Sequence, residues 1–245
     1  MLTKDLAICI RATDYSETSQ VLVFFTRLSG KISAIAKGSK RQKSAFQGPI
    51  ELFASGRIVY TQAAGGGLAT LTEFDQQGRF THLSQNYYAM NCALFVAELM
   101  NNLTDEYDPH PELFDKLLQF FINGQHAETI EEHLSLLIFF QLSLLSEVGL
   151  QPILKNCVNC KRLFTQDWKS CYFSTGANGL LCGDCENNFP DRMMISNKIA
   201  NCFSNLKSIA EADRKLLLDI EKLLISHLKQ TLKRELKMVK YILKP

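Results

Sequence analysis

Two pairs of cysteines constrain this chain more than any other feature. Cys157-x-x-Cys160 and Cys182-x-x-Cys185 stand with 21 residues between them. Zn²⁺ takes four thiolate or imidazole ligands in a tetrahedron, and two residues between cysteines let one tight turn aim both sulfurs at a single ion. Cys157, Cys160, Cys182 and Cys185 are therefore expected to hold one Zn²⁺ per chain. Four thiolates leave no open position for water or substrate, so the expected ion is structural rather than catalytic. Such a site ties the folding of a segment with little core of its own to the metal. Cys171 lies between the pairs and reads as a small buried hydrophobe, while Cys9, Cys92 and Cys202 fall on apolar faces and read as core. Met1 to Arg11 lacks the basic start and long apolar core of an export signal. The eight cysteines are thus expected in a reducing cytoplasm, where clustered thiols point to metal rather than disulfides.

The remaining pattern changes character along the chain. A length of 245 residues suits one large domain or two to three small ones. Asp5–Ala12, Ser19–Leu28, Lys31–Lys37, Ile50–Gln62 and Leu68–Asp75 are rich in Ile, Val, Phe and Thr, and Ser29-Gly30 and Ala64-Gly65-Gly66-Gly67 punctuate them. Five short strands with glycine turns predict a small barrel or sandwich over about residues 1–80. From about Ser84 the apolar spacing becomes helical, with a break at Asp108-Pro109-His110-Pro111 and a helix over Glu112–Ile122. Thr129-Ile130-Glu131-Glu132 is a capping box that opens a helix running to about Val148, with Gly149 as its stop. After the cysteine segment, a leucine stripe predicts a return to helix from roughly Ser204 to Leu243, with Lys229, Lys233, Arg234, Lys237, Lys240 and Lys244 off the stripe. The densest apolar stretch, Leu134–Leu145, is broken by Ser135, Gln141 and Ser143 and is too short for a membrane span.

Charge is spread unevenly. Residues 1–80 hold ten Lys/Arg against six Asp/Glu, residues 81–150 one against ten, and residues 151–245 sixteen against nine. Two basic ends flank an acidic middle, which suits a polyanionic partner at the ends. The sharpest basic feature is Lys31, Lys37, Lys40, Arg41 and Lys43, mostly in the loop Lys37-Gly38-Ser39-Lys40-Arg41-Gln42-Lys43-Ser44. Cations in a Gly/Ser loop neutralise phosphates and release counterions, so these five with Arg11 are the candidate DNA contacts. Phe46, Tyr60 and Phe74 are nearby aromatics that read as core rather than as stacking platforms. No Gly-rich loop ends in Gly-Lys-Ser/Thr, and although Glu stands two residues after His110 and after His126, the four paired cysteines already fill the ligand set of a zinc ion, so ATP hydrolysis and zinc deamination are not expected. The cysteine pairs alone would also suit a zinc ribbon of transcription or translation.

The N-terminal wording resembles one family. Ala7-Ile8-Cys9-Ile10-Arg11, Asp14-Tyr15-Ser16-Glu17-Thr18, the run Phe25 to Gly38, and Lys43-Ser44-Ala45-Phe46-Gln47-Gly48 with Pro49-Ile50-Glu51-Leu52-Phe53 resemble the start of the RecO family of bacterial DNA repair proteins. The cysteine pairs and the Leu232-Lys233 to Leu236 region match again, and the helical middle matches mainly in architecture. The resemblance implies a multidomain α+β protein: an N-terminal OB-fold β-barrel at 1–80, then a helical domain at 81–245 with a zinc-ribbon-like insert at about 155–190. It implies a non-enzymatic, cytoplasmic, nucleoid-associated protein of repair and recombination. Such a protein binds single-stranded and double-stranded DNA and anneals complementary strands. With RecR it helps load RecA onto DNA coated by single-strand-binding protein (SSB), whose acidic C-terminal tail it contacts.

Overall fold

Each of the first five strands finds two neighbours, which closes them into a barrel. They are β1 (Leu2–Asp14), β2 (Gln20–Thr26), β3 (Gly30–Ala36), β4 (Ser55–Thr61) and β5 (Ala69–Gly78). Their order is β1-β2-β3-β5-β4, with β4 pairing back to β1. All pairs are antiparallel except β3 with β5, which run parallel where Ala34 faces Ala69 and Ile35 faces Thr70. A closed five-stranded barrel of this order is the OB arrangement. The computed structural model describes every residue except Met1, Gln47, Ala64, Gly65, Arg79 and Pro245. Two residues of the expected Ala64–Gly67 turn therefore lie outside the described residues, as does Gln47 of the Lys43–Gly48 motif.

Period-two burial builds the barrel core. On β3, Ile32, Ala34 and Ala36 are buried while Ser33 and Ile35 are half-exposed. Phe24, Ile58, Tyr60, Leu71 and Phe74 fill the interior from other strands. β1 kinks at a bulge between Cys9 and Arg11. The loop before β4 docks beside it, with Phe53 N–H donating to Cys9 O at 2.8 Å and Cys9 N–H to Ala54 O at 2.9 Å. This docking explains why β4 starts at Ser55 rather than at Ile50. Pro49 has no N–H to give a ladder, and Phe53 adopts a left-handed backbone with φ 65°.

The first compact unit runs past the barrel to residue 126, and the second covers 127–245. In the first, α1 (His82–Gln85), α2 (Tyr87–Leu103) and α3 (Pro111–Gly124) follow the strands. The Asn86 side chain caps α2 by accepting from Tyr88 and Ala89 N–H, and Pro111 opens α3. Phe114 stacks on Phe25 at 6.4 Å and Phe121 meets Phe53 at 5.2 Å. Each such aromatic pair adds about 0.5–1.5 kcal/mol beyond burial. Gly30, at φ 71°, is required here. A Cβ would lie 2.1 Å from Asp108 O, where the segment after α2 crosses the β2–β3 turn.

In the second unit, α4 (Ile130–Glu147) begins at the expected capping box, with Thr129 Oγ1 accepting from Glu132 N–H and the Glu132 carboxylate from Thr129 N–H. It packs along α7 (Arg214–Leu232). Between them in sequence lie β6 (Cys171–Ser174), β7 (Gly179–Cys182) and β8 (Arg192–Ile195), forming a sheet of order β7-β6-β8, then α5 (Asn197–Ser204) and α6 (Lys207–Ala210). The expectation of one helix from Ser204 to Leu243 is corrected. Asp213 starts α7 afresh by capping Leu216 N–H at 2.8 Å, and Lys233 ends it in a left-handed conformation before the short α8 (Val239–Ile242). Leu236 and Ile242 are still buried, so the apolar stripe records burial and not helix continuity. Among the described residues, no helix is long and apolar enough to cross a membrane.

Candidate metal centre and nucleic-acid interface

Two tight turns bring the four cysteines together. In the first, Lys161 N–H donates to Cys157 O at 3.0 Å and Lys161 takes φ 63°, which reverses the chain behind Cys160. In the second, Cys182 closes β7 and Cys185 N–H donates to Cys182 O at 3.0 Å. Val158 N–H donates to Leu180 O at 2.8 Å and so fixes the first turn against β7. The sulfurs of Cys157, Cys160, Cys182 and Cys185 all lie within 4.8 Å of one another, close enough to hold a metal ion. Cys160 Sγ and Cys182 Sγ are 3.8 Å apart.

The electrostatics of the cluster ask for a cation. Burial pushes the Cys157 thiol up, but the backbone N–H groups of Cys182, Cys160 and Asn159 outweigh it and bring the group to about 7. At Cys185 the Asn159 amide favours the thiolate, with Nδ2 donating to Sγ at 3.3 Å. Burial and the three neighbouring cysteines prevail there and raise it to about 11. With four sulfurs within 4.8 Å of one another, each thiolate formed would oppose the next, a repulsion that a bound dication would relieve. Cys171 pairs with Cys182 across β6 and β7 but lies outside the cluster, and burial pushes its thiol up to about 12. It packs as a small apolar group, as its sequence position suggests.

A few polar contacts hold the frame of the centre. Asp191 accepts from Gly176 N–H at 2.7 Å and from Ser174 Oγ at 2.8 Å, which clamps the β6–β7 hairpin. Those donors, Gly176 N–H first, hold its carboxyl below the usual range. Arg162 pairs with Asp184 at 2.6 Å, joining the two turns, and its guanidinium lies 5.6 Å from the Trp168 ring centre. The Arg162–Asp184 pair is exposed, so water screens it and its contribution to stability is small.

The candidate DNA contacts do not form one set. Lys31 is buried, and its ammonium donates to the carbonyls of Thr104 and, at 2.8 Å, Asn101. Its charge meets the unsatisfied carbonyl end of α2 rather than solvent. Lys40 forms an ion pair with Asp14 at 2.6 Å. Arg11 is exposed on β1, and Lys37, Arg41 and Lys43 are exposed in the loop after β3. Among the described residues, these four have no acidic partner. Phe46, Tyr60 and Phe74 are buried in the barrel, in line with their reading as core.

Sequence reasoning missed the residue that holds this loop. Gln20, buried at the start of β2, accepts from Ser39 Oγ at 3.0 Å and from Ile50 N–H at 2.9 Å, and donates to Ile50 O at 3.2 Å. One amide thus pins the loop near both ends. The available signal was a polar residue opening an otherwise apolar run, Gln20 to Phe25.

Comparison with known proteins places the chain in a family. The Recombination protein O N-terminal model matches residues 1–78, and the Recombination protein O C-terminal model matches residues 84–239. The chain belongs to the recombination protein O family. Proteins named DNA repair protein RecO are similar to it. One from Rhodopirellula baltica is 32% identical over 183 residues, 74% of this chain and 66% of its own length. One from Alkaliphilus metalliredigens is 32% identical over 185 residues, 76% of this chain and 72% of its own. One from Bacillus subtilis is 30% identical over 200 residues, 82% of this chain and 75% of its own. The N-terminal family model ends where β5 ends, at Gly78, and the C-terminal model spans both cysteine turns. The family places the chain in DNA repair and recombination.

Proposed function

We propose that this chain is a repair mediator that acts by binding rather than by turnover. It binds single-stranded and double-stranded DNA through residues 1–80 and anneals complementary strands. With RecR it helps load RecA onto SSB-coated single-stranded DNA, and it contacts the acidic C-terminal tail of SSB. Residues 81–245 form the helical part, which carries the insert at about 155–190. Its place of action is the cytoplasm, on the nucleoid. The observation that carries the DNA-binding reading is the loop after β3: Lys37, Arg41 and Lys43 are exposed without acidic partners on a loop that the buried Gln20 amide preorganises. A prearranged set of cations attracts phosphate without the entropic cost of ordering it at each encounter.

Cys157, Cys160, Cys182 and Cys185 hold one structural Zn²⁺ in this reading. Thiolates ~2.3 Å from a tetrahedral centre lie about 3.8 Å from one another, and the Cys160–Cys182 separation of 3.8 Å fits. The all-sulfur donor set favours Zn²⁺ over the hard cations Mg²⁺ and Ca²⁺, and it fills the coordination sphere. The ion supplies a crosslink, not a reaction.

The deciding experiment is annealing of two complementary fluorescent oligonucleotides, each coated with SSB, without added nucleotide. Fast annealing that slows as salt rises is expected. Folded, metal-loaded protein that binds DNA but never anneals it would reduce the reading to a plain DNA-binding module.

A further inference from the structure

The β1–β2 turn exposes a ring that the barrel core does not use. Tyr15 is 68% exposed, whereas Phe24, Phe46, Tyr60 and Phe74 of the same barrel are buried. A single exposed aromatic means little by itself; its surroundings give this one meaning. Tyr15 follows Asp14, whose carboxylate pairs with Lys40 at 2.6 Å. Lys40 N–H donates to Thr18 O at 3.1 Å, and Gly38 N–H donates to Ser19 Oγ at 3.3 Å. The turn is closed on itself, with Tyr15 N–H donating to Ser19 O at 3.0 Å. Three links thus tie the turn that carries Tyr15 to the loop that carries Lys37, Arg41 and Lys43.

We propose that Tyr15 is a base-stacking platform that makes the cationic loop prefer single-stranded to duplex DNA. The proposal rests on the DNA-binding reading above and deepens it. Phosphates alone discriminate poorly, because both forms of DNA present them. Bases differ: in a duplex each face is covered by the next pair, whereas an unpaired base offers a free face to an aromatic ring. Stacking of this kind is worth about 1–3 kcal/mol per base, or roughly five-fold and upward in affinity. Lys40 takes a different role from its neighbours. Neutralised by Asp14, it fastens the two loops together and leaves phosphate to Lys37, Arg41 and Lys43.

The test uses the full chain and its variants Tyr15→Ala, Tyr15→Phe and the triple Lys37→Glu/Arg41→Glu/Lys43→Glu. Each is titrated against labelled oligo-dT and a labelled duplex of equal length by fluorescence anisotropy over a salt series. Tyr15→Ala is expected to weaken oligo-dT binding about five-fold or more. Duplex binding should stay unchanged, and the salt slope should not move because no charge is lost. Tyr15→Phe keeps the ring and should bind like wild type. Unchanged oligo-dT binding in Tyr15→Ala overturns the proposal, as does equal weakening for both DNAs or a Tyr15→Phe defect as large as that of Tyr15→Ala. The triple variant reports separately on the underlying reading: if it binds DNA like wild type, the cationic loop is not the DNA site and the stacking proposal falls with it.

Discussion

Glu221 is the most demanding residue in the second unit. It is fully buried on α7 against Gln141 of α4, whose amide Nε2 donates to Oε2 at 2.7 Å. Among the described residues, Glu221 Oε1 and Gln141 Oε1 have no hydrogen-bond partner. A proton on the Glu221 carboxyl would serve both, because the acid would then donate to Gln141 Oε1 while accepting from Nε2. Burial pushes the group up to about 8, against the opposing pull of the Gln141 hydrogen bond. In the unfolded chain it ionises near ~4.3. The folded pKa is therefore the higher one. The stability this raises is complete below the unfolded value and is lost as pH climbs through the folded value near 8. Glu221→Gln replaces the acid–amide pair with an amide–amide pair and removes the titration. Thermal melts from pH 5 to 8.5 should show wild type losing at least about 3 °C relative to the variant, at about 2–4 °C per kcal/mol. Parallel curves would mean that the carboxyl is not protonated in the fold.

At the scale of elements, the insert and the helices differ in what holds them. β6, β7 and β8 are four residues each, too short to bury much apolar surface of their own. The cysteine turns and the Asp191 clamp must supply the order. Trp168 is the chain's single tryptophan and lies in this insert, with Nε1–H donating to Leu163 O at 3.1 Å. Its fluorescence therefore reports on the insert alone. Stripping metal with a strong chelator should shift Trp168 emission to the red and release about one Zn²⁺ per chain. Far-ultraviolet circular dichroism should retain most of the helical signal, because α4 and α7 pack through apolar residues. Unshifted emission after complete chelation would show that the insert folds without an ion. The same contrast explains what was legible in the sequence. Thr129 and Glu132 announce α4 because capping chemistry is local, and the cysteine spacing announces the metal cluster because turn geometry is local. β6 to β8 are silent because they lack a long period-two pattern, and the break at Lys233 is silent because Leu236 continues the apolar stripe beyond it. Tyr15 and Gln20 stayed hidden for another reason: their roles depend on a loop twenty residues further along the chain.

For the whole molecule, the question is where an autonomous unit ends. The family models divide near residue 80, between β5 and α1, yet the compact unit that holds the barrel extends to 126. The side chains say why. Phe25 and Phe53 lean on Phe114 and Phe121 of α3, and Arg27 meets Asp115 in a two-pronged pair at 2.9 Å. Lys31 has its ammonium satisfied by Asn101 and Thr104. A fragment cut at residue 80 would bare Phe25 and Phe53, at about 1.5–3 kcal/mol each, against the ~5–15 kcal/mol that holds a domain together, and would leave the Lys31 ammonium to water. A fragment of residues 1–126 keeps all of these contacts and all of the exposed cations at 11, 37, 41 and 43. It should therefore unfold cooperatively in urea, whereas residues 1–80 should aggregate or melt without a sharp transition. The longer fragment should also bind oligo-dT with the salt slope of the full chain, since each phosphate contact on a single strand contributes about 0.7 to that slope. A markedly shallower slope in residues 1–126 would mean that cations of the second unit, such as Lys229 or Lys237, share the DNA. Sharp unfolding of residues 1–80 alone would show that α2 and α3 are not needed to complete the barrel.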